Sequence, residues 1–401
     1  MSTTARRRTP SDQPLEAWAH ARIWLTCGGA LLLLHGLAQD PAWVEEVFVP
    51  WGLLATGWLT WFTAWLPLAL AEILVVLLGV WLIWRTLEGF AEVGAGRRGL
   101  LNGLLSAVLL TGDLALFLGA AFYVTWGTAY QRPELGERWG LEVRRAAETD
   151  RDALLAMTLA ATERTNAAYR KVHGSHDAGV VTEPRKGLDV DAAIERGFER
   201  LAADRGLGED FGRARGPVKL PWISPVLSYL GIAGVFVPFT GEAVVNAGPP
   251  TWSRVATAAH EKAHQRLVTR EDEATFVGTL ALLAADEPLL AYGAWQAVRR
   301  HLQAELVRLD PDALDKVAGK LDPGPQRDVV ALGAYWERYE GWLQAAQDDV
   351  NDLYLRANDV QDGTASYARA VDLLRAWLAT PEGRKALGAA APRHDSKAAG
   401  G

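Results

Sequence analysis

The 401-residue chain has almost no cysteine. Cys27 is the only one, which excludes disulfides within the chain and any cysteine-based metal site. Histidine is also sparse, with 8 in the chain, so a metal site would have to be built from few imidazoles and from Asp or Glu. A basic excess is lacking too. The net charge is −7, and beyond the N-terminal arginines no stripe of Lys and Arg suits a nucleic-acid backbone, so no nucleic-acid partner is expected. No internal repeat is visible.

What the chain does have is long apolar runs, all of them early. Residues 22–127 are strongly apolar, and the rest is rich in Ala, Leu, Arg, Asp and Glu like an ordinary soluble protein. The runs Ile23–Ala38, Leu66–Trp84 and Leu100–Trp126 predict three membrane spans. The stretch from Val47 to Trp65, interrupted by Pro50 and Gly52, predicts an interfacial or re-entrant helix. Ten of the 17 tryptophans precede residue 127, many near span ends, as an aromatic belt requires. Arg6, Arg7, Arg8 and Arg22 precede the first run, and Arg85, Arg97 and Arg98 lie between the last two. The loop 39–65 carries only acidic charge. The positive-inside rule then puts the N-terminus in the cytoplasm and everything after residue 127 outside. A cleavable signal peptide is the alternative for the first run. Glu72 lies near the outer end of the second run and Asp113 in the middle of the third, where an acid is either functional or hydrogen-bonded at a helix contact. The hydrogen-bonded reading is preferred for both.

Four parts are expected: a cytoplasmic tail (1–21), a membrane domain (22–127), an extracytoplasmic domain (128–386) and a disordered tail (387–401). The soluble part predicts long helices over 134–171 and 188–206. "GVFVPF" and "EAVVN", separated by Thr240-Gly241, predict a small strand pair. Helices then continue to about 388, the next one capped by Ser253. The fold class is mainly α: transmembrane helices followed by a mostly helical domain with a small β element.

Residues 256–266 read "ATAAHEKAHQR", an HExxH motif. On a helix, His260 and His264 are one turn apart on one face and can share a zinc ion. Glu261 beside them can take a proton from water, which is the chemistry of amide hydrolysis. The bland alternative is two histidines on a solvated helix face. A catalytic zinc needs a third protein ligand. In the following "TREDEATF", Thr269 and Asp272 form a capping-box-like pair, and Glu273 shares a stripe with Val277, Leu280 and Ala284. A carboxylate on an apolar stripe needs a partner, and zinc would serve. Glu271 and Asp272 are rivals read as exposed first-turn acids. A three-histidine site is excluded because Arg270 stands six residues after His264. Tyr292, Tyr367, His173 and His176 are candidates for stabilising a transition-state oxyanion. The strand pair offers an edge to an extended substrate, and Glu242 and Asn246 line or buttress the cleft. Arg254, Lys262, Arg266 and Arg270 flank the motif and argue against a site inside the bilayer.

The segments "PAWVEEVF", "WLPLALAEIL", "WGTAYQRPEL", "LSYLGIAGVFVPFTGEAVVN", "HEKAHQR", "EDEATFVGTLAL" and "DGTASYARAVDLL" run from about residue 20 to 380. In kind and order they resemble the bacterial membrane-protein family of domain of unknown function 3810. The resemblance implies a multi-pass protein of the bacterial inner membrane with a zincin-like domain of unproven substrate. "EDEATF" also looks like the third-ligand helix of some gluzincin-type peptidases, which implies Glu273 as ligand. Two positions depart from the pattern: Ala129, near which an Asn is usual, and Leu267, where a Gly is usual. The expected function is a membrane-anchored zinc metallopeptidase whose partners are the lipid bilayer and a peptide or protein substrate. The alternative is a non-catalytic membrane protein that uses the same domain for binding or structure.

Overall fold

The computed structural model of the chain describes residues 12–97, 99–143, 151–341, 344, 345, 347 and 366–388; the side chains of 12–19 and 366–368 are outside that set. The expected C-terminal tail, from residue 389, lies outside the described residues.

Four long helices open the chain: α1 (Asp12–Leu37), α2 (Pro41–Ala64), α3 (Leu70–Gly94) and α4 (Leu100–Thr125). Asp40 starts α2 by accepting from the Ala42 N–H at 3.0 Å, with Pro41 pre-set for the first turn. Pro67 lies in the break between α2 and α3. Among the described residues, three helices are long and apolar enough to cross a membrane: α2, α3 and α4. Three are expected and three are found, but α1, expected as a span, is not among them, and α2, expected as an interfacial or re-entrant segment, is. Two facts account for the difference. In α1, His20 and Trp24 are polar because they serve Asp113 of α4: His20 Nδ1 pairs with one carboxylate oxygen, and Trp24 Nε1 donates to the other at 2.8 Å. In α2, one face is covered by the rest of the protein, 39% of its apolar window against 6% in α3 and 11% in α4. Asp113 is thus the hydrogen-bonded carboxyl at a helix contact.

The remainder is mainly helical: α5 (Arg151–His173), α6 (Val190–Arg205), α7 (Ser224–Tyr229), strands β1 (Gly234–Val237) and β2 (Glu242–Val245), then α8 (Thr251–His264), α9 (Glu271–Ala284), α10 (Pro288–Leu309), α11 (Pro323–Glu337) and α12 (Ser366–Leu378). β1 and β2 pair antiparallel, with Phe236 opposite Ala243. α8 starts at Thr251, so Ser253 is not its cap; its hydroxyl donates to Pro250 O at 2.8 Å inside the first turn.

α8 and α9 lie at the centre of the main core, which includes Val255, Ala259, Phe276, Val277, Leu280, Leu290 and Leu302. The alanines of α8 let α9 approach closely. A Cβ on Gly278 of α9 would stand 2.9 Å from the Ala259 carbonyl carbon, so only glycine fits there.

The membrane helices are tied to the domain at their ends. Lys219 donates to Thr63 O at 3.0 Å and to Leu66 O at the C-terminal end of α2. Glu242 accepts from the Leu70 and Ala71 N–H groups, both at 2.8 Å, at the N-terminus of α3. Cation at the carbonyl end and anion at the amide end both complement the helix dipoles. Glu72 of α3 in turn accepts from Trp222 N at 3.2 Å and Ile223 N at 2.8 Å.

Candidate metal centre

His260 and His264 stand on one face of α8, as HExxH spacing dictates, with their Nε2 atoms 3.1 Å apart. The residue that joins them is Glu271, in the first turn of α9. Its Oε2 lies 2.9 Å from His260 Nε2 and 3.6 Å from His264 Nε2. The three side chains form a group able to hold a metal ion.

Glu273, expected as the third ligand, is turned away. Its Oε1 accepts from Leu135 N at 2.7 Å and its Oε2 from Arg138 Nη2 at 2.9 Å. The stripe argument rightly demanded a partner for a buried carboxylate, but the partner is an arginine from the segment after α4. Burial, with Asp272 alongside, still raises the Glu273 pKa. Glu271, expected as an exposed acid, is only 15% exposed at its side chain. α9 begins one residue later than a Thr269 cap predicts: Thr269 Oγ1 donates to Ala129 O at 3.2 Å, and the cap position is Arg270. That places Glu271, two residues before Glu273, toward the histidines.

The second ring nitrogens are also engaged. His264 Nδ1 donates to Val268 O at 2.6 Å, and a carbonyl can only accept. His260 Nδ1 is 3.1 Å from Thr275 Oγ1. With both protons on Nδ1, two Nε2 lone pairs and a carboxylate converge, three acceptors facing one point. Tetrahedral zinc with bonds of about 2.0–2.1 Å needs ligand atoms about 3.3 Å apart. The spacings of 2.9, 3.1 and 3.6 Å straddle that value. The donor set therefore fits zinc. In the protein without metal, burial opposes charge on His264, yet Glu271 and Glu261 raise its pKa to about 9. Burial opposes a charged Glu271 as well, yet His264 and His260 outweigh it and hold the Glu271 carboxylate well below its usual range. The point between these groups favours positive charge.

Glu261 is buried beside the pair. Burial is the main cause of its raised pKa, against the charges of His260 and His264 and a backbone hydrogen bond from Phe236. β1 runs over it so closely that a Cβ on Gly234 would stand 2.6 Å from Glu261 Oε1. Phe236 and Trp126 wall the other side, with ring centroids 6.3 and 5.8 Å from His264. Trp126 Nε1 also donates to His264 O at 3.0 Å.

Lys262 and Arg266 are not solvated flanks. Both are fully buried on the opposite face of α8, where Lys262 Nζ and Arg266 Nη2 each lie 2.5 Å from a Glu195 carboxylate oxygen. Arg266 also stacks 3.9 Å above the Phe198 ring. Burial opposes a charged Glu195, but Arg266 and Lys262 outweigh it and lower its pKa.

The other expected contacts lie elsewhere. Tyr292 donates to Asp328 at 2.6 Å and packs on Trp252, eight residues and about 12 Å along α8 from His260. Burial, then Asp328, raises its pKa. His173 pairs with Thr182 Oγ1 at 2.8 Å, and His176 is exposed. Glu242 caps α3. Asn246 donates to Ser228 Oγ at 2.9 Å and Ile232 O at 3.0 Å and accepts from Gly248 N at 2.9 Å, so it braces the turn around the strand pair. Tyr367 belongs to α12, but its side chain lies outside the described residues. His301 of α10 was not singled out from sequence. Burial, Arg300 and His260 together push its pKa down to about 4, so it stays neutral near the site. A lone histidine in a helix without a motif gave no signal for it.

A family model described as "Protein of unknown function (DUF3810)" matches residues 53–375. The chain belongs to this family. Among curated proteins and solved structures, nothing matches it. In this DUF3810 protein the two departures from the family pattern are well accommodated. Leu267 adopts a left-handed backbone, φ 59°, where glycine is the easier residue. Its side chain is fully buried against α2 with Phe48, Leu53 and Trp126. Ala129 is buried, and its carbonyl takes the Thr269 bond.

Proposed function

We propose that the protein is a membrane-anchored zinc metallopeptidase with its active site outside the cytoplasmic membrane. The observation that carries this reading is the convergence of two lone-pair Nε2 atoms and the Glu271 carboxylate, with a second, buried carboxylate on Glu261 alongside. His260, His264 and Glu271 would hold zinc, which would supply a Lewis acid able to lower the pKa of water toward neutrality. Glu261 is placed to take a proton from an attacking water and to return it to the leaving nitrogen. Its raised pKa suits it to both transfers. Val268 O and Thr275 Oγ1 keep the imidazoles in the tautomer and orientation that present Nε2. β1 uses one edge to pair with β2; its other edge offers backbone groups to an extended peptide. The excess of Lys and Arg before α1 and between α3 and α4 supports a cytoplasmic N-terminus. In this topology α1, α3 and α4 cross the bacterial inner membrane; α2 is long and apolar enough to cross, but the domain covers one of its faces and holds it along the outer surface.

Glu261→Gln tests the assignment. The variant retains zinc and loses cleavage of a peptide library by at least about 10³-fold, as expected for removal of the proton-transfer group. Full activity in the variant sinks the mechanism. Zinc retained in the parent with no cleavage of any peptide favours the binding role instead.

A further inference from the structure

Outside every membrane helix, the domain carries large apolar side chains in the open. Trp222 is 78% exposed, Val226 54%, Tyr229 52% and Phe239 42%. All four lie on segments fastened to the break between α2 and α3. The chain at Trp222 is held by Glu72 in the first turn of α3. α7, with Val226 and Tyr229, follows directly. The hairpin turn with Phe239 is held by Thr63 Oγ1, 3.3 Å from Thr240 O. On α2, the face turned away from the domain shows Trp51, Trp58, Trp61, Phe62 and Trp65, and α2 ends at the break to which these segments are fastened. A patch of this extent on a soluble surface marks an interaction site. Tryptophan and tyrosine at the end of a membrane helix fit the headgroup level of a bilayer.

We propose that Trp222, Val226, Tyr229 and Phe239 form a rim that sinks into the bilayer surface and seats the domain on it. The partner is lipid at the boundary between headgroups and acyl chains. The rim also sets the height of the metal centre. Phe239 is three residues from Phe236, at most about 10 Å along an extended chain. The headgroup layer on each side of the hydrocarbon core is about 5–7 Å thick. Resting on the peptidase reading, the substrate class follows: polypeptide held just outside the membrane, the juxtamembrane stretch of a spanning or lipid-anchored protein.

The seat is tested without any turnover. Cys27→Ala leaves a cysteine-free chain, into which Trp222→Cys, Phe239→Cys or Val180→Cys is placed and labelled with a nitroxide in lipid nanodiscs. Val180 is the control. It is 58% exposed and lies beside Thr182, which reaches Asp328 and Tyr292 next to Trp252. Trp252 is twelve residues, about 18 Å, along α8 from His264. The expected result is that oxygen relaxes the labels at 222 and 239 more than a water-soluble nickel chelate does, with the reverse at 180. Nickel relaxing all three alike overturns the seat. So does protection of 222 and 239 from both agents in a particle of dimer mass, which would put a second copy on the rim. The substrate class has its own readout. A peptide joined to a lipid anchor is cleaved at least about tenfold faster than the same peptide in solution, through local concentration at the surface. Equal rates, with both peptides cleaved, overturn the substrate class and leave the peptidase reading standing.

Discussion

At the scale of single residues, which carboxylate faces the histidines depends on two positions in one helical turn. Glu271 and Glu273 are about 200° apart around α9, so one can face the histidines and the other cannot. The motif itself gave His260, Glu261 and His264, because HExxH spacing fixes a helix face before any tertiary contact forms. It did not give the third ligand. That choice rests on Arg138 and Leu135, more than 130 residues earlier, which satisfy Glu273 from the far side, and no local pattern announces such a contact. Lys262 and Arg266 misled for the same reason: their partner Glu195 is on another helix. This buried triad gives a sharp test. Glu195→Gln leaves buried Arg266 without its paired carboxylate and Lys262 with Asp191 alone, 3.0 Å away, and stability falls by about 3–5 kcal/mol. Thermal unfolding in detergent measures it. A loss under about 1 kcal/mol contradicts the assignment of Glu195 as the shared anion.

At the scale of elements, the turn between α8 and α9 sets the geometry of the centre. Leu267 holds its left-handed backbone at a cost of about 1–2 kcal/mol, which Leu267→Gly removes. The same change empties a buried leucine site against α2, worth about 2–5 kcal/mol. Burial is the larger effect, so Leu267→Gly is destabilising by up to about 4 kcal/mol. A more stable variant would show that backbone strain dominates. α12, packed on α9, carries a pH response. Burial raises the Asp372 pKa to about 6, with Glu305 and Asp272 adding to it against Arg375 and Arg369. The folded protein then binds this proton more tightly than the unfolded chain does. Its contribution to stability is present below about pH 4 and is lost as pH rises through about 6. Asp372→Asn is therefore more stable than the parent above pH 6, and the difference narrows toward pH 4. Melting temperatures across that range measure it. An Asn variant less stable than the parent at pH 8 contradicts the sign.

For the whole molecule, the mainly helical fold, the apolar N-terminal third and the small strand pair were legible, because periodicity, apolar runs and a Thr-Gly turn are local signals. The fastening of the two parts was not. Glu242 reads from sequence as a cleft residue, yet it caps α3. Glu72 reads as a buried acid of a span, yet it holds the backbone at Trp222 and Ile223. Both contacts cross more than 140 residues. The metal centre sits where these parts meet, with Trp126 from the end of α4 on one side and β1 on the other. Its ligand set is the central claim, and zinc content tests it most directly. Full-length parent, Glu271→Gln and Glu273→Gln are purified in detergent, supplied with zinc, freed of excess and analysed by mass spectrometry. The account predicts about one zinc per chain in the parent, retained in Glu273→Gln and lost or greatly weakened in Glu271→Gln. No zinc in the parent, or loss in Glu273→Gln with retention in Glu271→Gln, contradicts it.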